Sequence, residues 1–119
     1  MKSQLIFILD DDDAVRNALD SCIRSLGFKV GIFYSAEKLL NSDQLDEVFC
    51  VISDVQMPGI NGFELLSILQ QRKPAVPVIL LSAFYEDCLK NKALNMGAIE
   101  FISKPFCLSI IINALDKVT

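Results

Sequence analysis

The sequence predicts an α/β domain in which a parallel sheet carries helices on both faces. Three observations point there. Five apolar runs of strand length recur along the chain, the segments between them place apolar residues at helical spacing, and the connections are only a few residues long. Strands that alternate with helices pair in parallel, and strands covered on both faces read as near-continuous apolar runs. A length of 119 residues fits one domain with its own core, and 52% hydrophobic residues supply enough apolar surface for a two-sided sheet. No repeat, low-complexity tract or linker interrupts the pattern.

The first strand is expected over Gln4 to Leu9, followed by the acidic run Asp10 to Asp13. Val15, Ala18, Leu19, Cys22, Ile23 and Leu26 then mark one face of a helix. Asp12 or Asp13 can cap its start, where acidic groups also complement the helix dipole. Gly27 is its C-terminal stop. Lys29 to Tyr34 reads as the second strand, and Ser35 caps a short helix through about Leu40. Val48 to Ser53 is the third strand, delivering Asp54 to a loop broken by Met57-Pro58-Gly59. Gly62 to about Arg72 is a helix with Phe63, Leu65, Leu66 and Leu69 available to pack. Pro74 and Pro77 bracket the approach to the fourth strand, Val78 to Ser82. A helix from about Glu86 to Met96 ends at Gly97, and Ile99 to Ile102 is a short fifth strand. The last helix, about Leu108 to Val118, aligns Leu108, Ile111, Ile112, Leu115 and Val118, with Ile110 and Ala114 off that stripe as a hint of a partner face.

Composition removes several function classes. A net charge of −4 argues against nucleic-acid binding by this domain, since phosphate contacts need clustered Lys and Arg. No run approaches the roughly 18 to 20 apolar residues that span a bilayer. The start of the chain lacks a signal peptide's small-residue cleavage site, so a cytoplasmic protein without membrane contact is expected. Cysteines 22, 50, 88 and 107 form no CxxC pair, and the chain has no His to join them as ligands. Cys22 and Cys50 fall on apolar positions and are expected to be buried free thiols, with Cys88 and Cys107 more exposed.

In a right-handed βα series the C-terminal ends of parallel strands share one edge of the sheet, and ligand chemistry collects there. At those ends stand Asp10 and Asp11, Asp54, Ser82 and Lys104. Taken singly, each has a structural explanation: a turn former, a helix cap, a strand end, a surface lysine. Taken together they form a site. Two carboxylates about 4 Å apart repel by roughly 4 kcal/mol at an effective dielectric near 20, so the cluster needs a positive partner. Oxygen ligands with room for water suit Mg²⁺ plus a phosphate, and a lysine can serve as a point charge for that phosphate.

The segments Ile8-Leu9-Asp10-Asp11-Asp12, Ser53-Asp54-Val55-Gln56-Met57-Pro58-Gly59-Ile60-Asn61-Gly62, Leu80-Leu81-Ser82-Ala83, Gly97-Ala98 and Phe101-Ile102-Ser103-Lys104-Pro105-Phe106 carry a resemblance over essentially the whole chain. In this order and spacing they resemble the receiver domain of bacterial two-component response regulators. The Met-Pro-Gly-x-Asn-Gly loop and the Lys-Pro-Phe ending are most similar to the FixJ-like branch, whose members usually carry a C-terminal DNA-binding domain. The resemblance implies one flavodoxin-like (CheY-like) doubly wound domain over 1–119, with five parallel strands in order 2-1-3-4-5 and five helices. It implies Asp54 as acceptor of a phosphoryl group from a sensor histidine kinase. Asp11, Asp54 and the Gln56 backbone carbonyl would ligate Mg²⁺, with Mn²⁺ as a substitute ion and Asp10 acting through water. Ser82 and Lys104 would hold phosphoryl oxygens. Phe101 would be the aromatic switch, turning inward as Ser82 is drawn to the phosphate, and Lys104-Pro105 would be cis. The implied product is a signalling switch that assists its own phosphoryl transfer and dephosphorylation without being a turnover enzyme. Its fourth helix, fifth strand and fifth helix would control homodimerisation and output, with DNA reached only through an output domain outside this chain.

Departures from the family pattern are equally legible. Ser82 stands where the family more commonly has Thr, Gln56 and Phe84 occupy positions that in the family flank the path of hydrolytic water, and Cys107 offers the last helix a weak cap. A degenerate, phosphorylation-independent receiver acting only as an interaction module would be favoured by a missing acid, hydroxyl or lysine, and none is missing; a single-domain receiver stays open as the alternative. A dehalogenase-like phosphatase needs a second Asp two residues after the nucleophile, where this chain has Gln56. A flavodoxin-like nucleotide binder needs a Gly-rich loop after the first strand, and none follows.

Overall fold

The computed structural model describes residues 4–57, 59–84 and 86–118. Five parallel strands, β1 (Leu5–Leu9), β2 (Lys29–Phe33), β3 (Cys50–Asp54), β4 (Val78–Ser82) and β5 (Glu100–Ser103), pair in the order β2-β1-β3-β4-β5. Helices α1 (Asp13–Ser25), α2 (Ala36–Leu40), α3 (Gly62–Gln70), α4 (Asp87–Asn95) and α5 (Leu108–Asp116) fill the crossovers. The expected doubly wound architecture and strand order are both present.

Alternation along the strands splits the interior into two layers. Leu5, Phe7, Leu9, Val51, Val78, Leu80 and Phe101 face α2, α3 and α4. Ile6, Ile8, Cys50, Ile52, Ile79, Leu81 and Ile102 face α1 and α5. Every residue of β1, β3 and β4 is buried, whereas the edge strand β2 is only partly covered. Each fully buried Leu, Ile or Phe side chain contributes roughly 1.5–3 kcal/mol of transfer free energy, so the central strands anchor the edge that carries the acids.

Helix boundaries have local causes. Asp12, rather than Asp13, caps α1: its carboxylate accepts the Ala14 and Val15 backbone N–H groups. Asn61 and Glu64 form a reciprocal capping box at the start of α3. Cys107 makes no side-chain capping bond to α5, as its chemistry leads one to expect. Gly62 is dictated by contact rather than by torsion: a Cβ there would sit 2.6 Å from the Asp54 carbonyl oxygen and 2.7 Å from the Val55 Cα. Only glycine lets α3 begin against the end of β3.

Several sequence expectations need correction. The apolar stripe of α1 is narrower than its periodicity suggests, because Ala18 and Leu26 are exposed, Cys22 is only half-buried and Arg16 is buried instead. On α5, Leu108 is exposed while Ala114 is buried beside Ile111 and Leu115, so Ala114 belongs to the core and, of the two residues off the stripe, only Ile110 stays outward. Val48 and Phe49 precede β3 instead of opening it, because a 3₁₀ turn over Leu45–Glu47 that no sequence pattern announced still directs the chain there. Cys50 is buried as expected, which pushes its thiol pKa up to about 12. Lys104-Pro105 is cis, and so is Lys73-Pro74. Among the described residues, no helix is long and apolar enough to cross a membrane.

Candidate functional site

The site lies where the strand order reverses. From β1 the chain turns outward to β2, then returns to place β3 on β1's other side, so the C-terminal ends of β1 and β3 flank a crevice. Asp10 follows β1 directly and Asp54 is the last residue of β3. Both are buried, at 1% and 5% exposure, which is rare for carboxylates that lack a partner. Asp11 stands beside them at the exposed mouth, and one oxygen from each of the three acids lies within 4.8 Å of the others.

Lys104 closes the cluster. Its backbone N–H donates to the Ser82 carbonyl at 2.7 Å, fixing the loop after β5 against the end of β4. Its ammonium then lies 2.8 Å from Asp10 Oδ2 and 3.0 Å from Asp54 Oδ2. The Asp54 contact is a hydrogen bond. The Asp10 contact has the distance of a strong ion pair, yet Asp10 Oδ2 is a buried acceptor without a well-aligned hydrogen bond. It is an ion pair, since charge attraction at 2.8 Å does not require a linear donor. The remaining oxygens are held by the backbone: Asp12 N–H donates to Asp10 Oδ1 at 2.9 Å, and Gln56 N–H to Asp54 Oδ1 at 3.1 Å.

These contacts set the electrostatics. Burial pushes the Asp54 carboxyl pKa up; the Gln56 N–H and Lys104 oppose this without cancelling it, and the Asp10 charge adds to it. Burial alone would lower the Lys104 pKa, but hydrogen bonds and charge from Asp10 and Asp54 raise it. The two partners move the same way because the ammonium gains from two carboxylates, while at Asp54 burial outweighs what the shared ammonium gives back. Three carboxylates and one ammonium leave two negative charges uncompensated. That excess, the all-oxygen donor set and the Asp10 oxygen still short of a hydrogen bond fit a hard divalent cation such as Mg²⁺.

The other expected residues are placed as follows. Ser82 is fully buried at the end of β4, next to β3, but its hydroxyl turns onto its own loop. Oγ donates to the Phe84 carbonyl at 2.8 Å and accepts the Phe84 N–H at 3.0 Å. Phe101 is 3% exposed on the face of the sheet covered by α3 and α4, so the ring is inward in this structure rather than waiting to turn. Gln56 is exposed and brings its N–H to Asp54. Pro58, in the turn expected to aim the Gln56 carbonyl, lies outside the described residues. Phe84 is 56% exposed beside the site. One residue escaped the sequence reading: Arg16, whose guanidinium donates to the Asp10 carbonyl at 2.7 Å. The signal was available, since an arginine three residues before Leu19 and seven before Ile23 occupies the inward stripe of α1.

A family model described as response regulator receiver domain matches residues 6–116. The response regulator protein TodT of Pseudomonas putida is 37% identical over 105 residues, covering 88% of this chain and 46% of TodT. The transcriptional regulatory protein FixJ of Bradyrhizobium diazoefficiens is 35% identical over 101 residues, covering 85% of this chain and 49% of FixJ. The chain therefore spans about half the length of these curated relatives. Among solved structures, FixJ-N superimposes with a TM-score of 0.83 at 30% identity, over 99% of this chain and 94% of that one. The beryllofluoride-activated DrrB receiver domain does so with a TM-score of 0.87 at 25% identity, over 99% and 97%. With the matched segment running from β1 through α5, the chain belongs to the response regulator receiver domain family, whose members serve phosphorylation-dependent two-component signalling.

Proposed function

We propose that Asp54 is the phosphoacceptor of a signalling switch and takes its phosphoryl group from a phosphohistidine on a sensor histidine kinase. The observation that carries this reading is the Lys104 ammonium 3.0 Å from Asp54 Oδ2 inside a three-acid cluster at the strand reversal. Phosphoryl transfer is mostly positioning and charge neutralisation. An Asp54 oxygen forms the new bond to phosphorus as the bond from phosphorus to the donor imidazole nitrogen breaks; that nitrogen keeps the electron pair and is protonated. Asp11, Asp54 and the Gln56 carbonyl, with Asp10 through water, would hold Mg²⁺, which supplies positive charge to the transferring oxygens. Lys104 passes from its carboxylate contacts to a phosphoryl oxygen. It needs no proton chemistry, since its raised pKa keeps it charged.

Ser82 supplies the readout. To donate to a phosphoryl oxygen its hydroxyl must leave the Phe84 carbonyl, which frees the loop before α4. The inward Phe101 lies on the neighbouring strand, paired with Leu80, and is buried on the face of the sheet covered by α3 and α4. We extend the reading to α4, β5 and α5 as the output face for dimerisation. Exposed Leu94 and Ile110 and a groove of about 280 Å³ along β5 and the start of α5 support it. Transcriptional output through an attached DNA-binding domain is suggested by the similarity to FixJ, a transcriptional regulatory protein.

Acetyl phosphate or beryllofluoride with Mg²⁺ is expected to modify Asp54, with the adduct located by mass spectrometry. The same adduct on Asp54→Asn would sink the assignment.

A further inference from the structure

Arg16 is the most deeply buried cation in the described chain, with its side chain 9% exposed, and neither core packing nor phosphoryl transfer as read above requires it. Three groups hold it. Nη1 donates to the Asp10 carbonyl at 2.7 Å, Nη2 pairs with Asp13 one helical turn back, and the guanidinium carbon lies 4.6 Å from the centroid of the Tyr34 ring. The Asp10 carbonyl belongs to the peptide that joins Asp10 to Asp11. Orienting that peptide orients both acids, one toward Lys104 and the other toward the mouth of the site. The Tyr34 face and Asp13 lock the planar fork in turn, a role a lysine cannot fill because it has neither the plane nor the paired donors.

We propose that Arg16 is a positioning residue for the metal site: it sets the peptide before Asp11, so that Asp11 meets a divalent cation in a fixed direction. This rests on the reading of Asp11 and Asp54 as metal ligands. The sign of the effect separates positioning from charge. A cation near a metal site repels the metal, so an arginine acting only through its charge would weaken binding, and its removal would tighten it. An arginine that orders a ligand does the opposite.

The experiment measures Mg²⁺ affinity by titration calorimetry on the wild type, Arg16→Met, Arg16→Lys and Asp11→Asn, with thermal melts in EDTA to establish folding. Arg16→Met keeps the apolar stem and is expected to weaken Mg²⁺ binding about tenfold, the usual scale for loss of a group that orients a ligand. Arg16→Lys, which keeps one donor, is expected to lose about threefold. At saturating Mg²⁺ the rate of acetyl phosphate labelling returns to within about twofold of wild type, because Asp54 itself is untouched. Affinity within about twofold of wild type or tighter in Arg16→Met, or a labelling rate that stays low at saturating Mg²⁺, overturns the proposal. If Arg16→Met does not fold, Arg16→Lys decides, and wild-type affinity there overturns it. Asp11→Asn separates the two failures: if it still binds Mg²⁺ like the wild type, the metal-site reading fails first.

Discussion

Replacing Asp54 by Asn should make the metal-free domain more stable, although it removes the proposed phosphoacceptor. The geometry gives the size. Asp54 shares a 4.8 Å neighbourhood with Asp10 and Asp11, and at an effective dielectric of about 20 each such pair repels by roughly 3.5 kcal/mol. The Lys104 ammonium at 3.0 Å returns about 5.5 kcal/mol on the same scale. Repulsion exceeds attraction by about 1.5 kcal/mol, before the cost of burying the carboxylate is added. Asn keeps the acceptor for the Gln56 N–H and leaves Lys104 paired with Asp10 at 2.8 Å. The open mouth at Asp11 screens part of the repulsion, so we expect about 1 kcal/mol of net stabilisation, or a rise in Tm of about 3–5 °C in EDTA. The direction of the Asp54 pKa sets the pH window. An acid raised above its ordinary 3.8 binds its proton more tightly in the folded state, so its ionisation costs stability as pH rises through that range. The advantage of Asn should be full at neutral pH and fade as pH falls toward 3.8. Saturating Mg²⁺ should reverse the order, because a ligand bound only by the folded wild type adds stability by mass action. Melts in EDTA at pH 7 in which Asp54→Asn unfolds at or below the wild-type temperature would refute the clustering of charge argued from these distances.

Gly62→Ala should cost about 1–3 kcal/mol in denaturant unfolding, because the added Cβ meets backbone at 2.6 and 2.7 Å and backbone cannot step aside as a side chain can; a loss under about 0.5 kcal/mol would mean α3 shifts freely. Glu100 is partly buried, yet the Lys117 ammonium at 2.5 Å and the Phe101 N–H hold its pKa below the ordinary 4.5. Its contribution is therefore present above pH 4.5 and lost as pH falls. Glu100→Gln should flatten the acid limb of the stability curve between about pH 5 and 3, and an unchanged slope there would discount the pair.

What the sequence revealed and what it hid divide along a physical line. Strand runs, stops at Gly27 and Gly97, and acids at strand ends are local patterns, and each landed within a residue or two of its place. Asp10, Asp54 and Lys104 were legible because parallel topology gathers strand ends whatever their sequence separation; here it spans the 50 residues between Asp54 and Lys104. The misses came from contacts made across elements. Arg16 reads as an ordinary helix cation until the Asp10 carbonyl and the Tyr34 ring, from two different loops, enclose it. Ala114 reads as off-stripe on α5, but a methyl group fits against a sheet where a larger residue would not, so it packs with Ile111 and Leu115. Ser82 was legible as a hydroxyl at a strand end, but its bond to Phe84 depends on loop torsions that residue types do not encode.

That bond explains why a signal at Asp54 should travel toward α4 rather than α1. A neutral hydroxyl–carbonyl bond contributes about 0.5–1.5 kcal/mol, and a bond to a charged oxygen about 1.5–3. Exchanging the Phe84 carbonyl for a phosphoryl oxygen therefore favours the released loop by about 1 kcal/mol or more, a shift of about fivefold in the populations. Such a bias moves only an element that is weakly held. On the α1 side Leu19 and Ile23 are fully buried and Arg16 is clamped at three points, while α5 buries Ile111, Ala114 and Leu115. Helix α4 buries Ala93 alone, leaves Leu94 39% exposed and starts from Glu86 without a side-chain capping bond. Few buried apolar contacts mean a low cost of local rearrangement. A perturbation of about 1 kcal/mol is small against repacking α1 or α5, so on the proposed phosphorylation of Asp54 the response through Ser82 is expected at α4 before either of them.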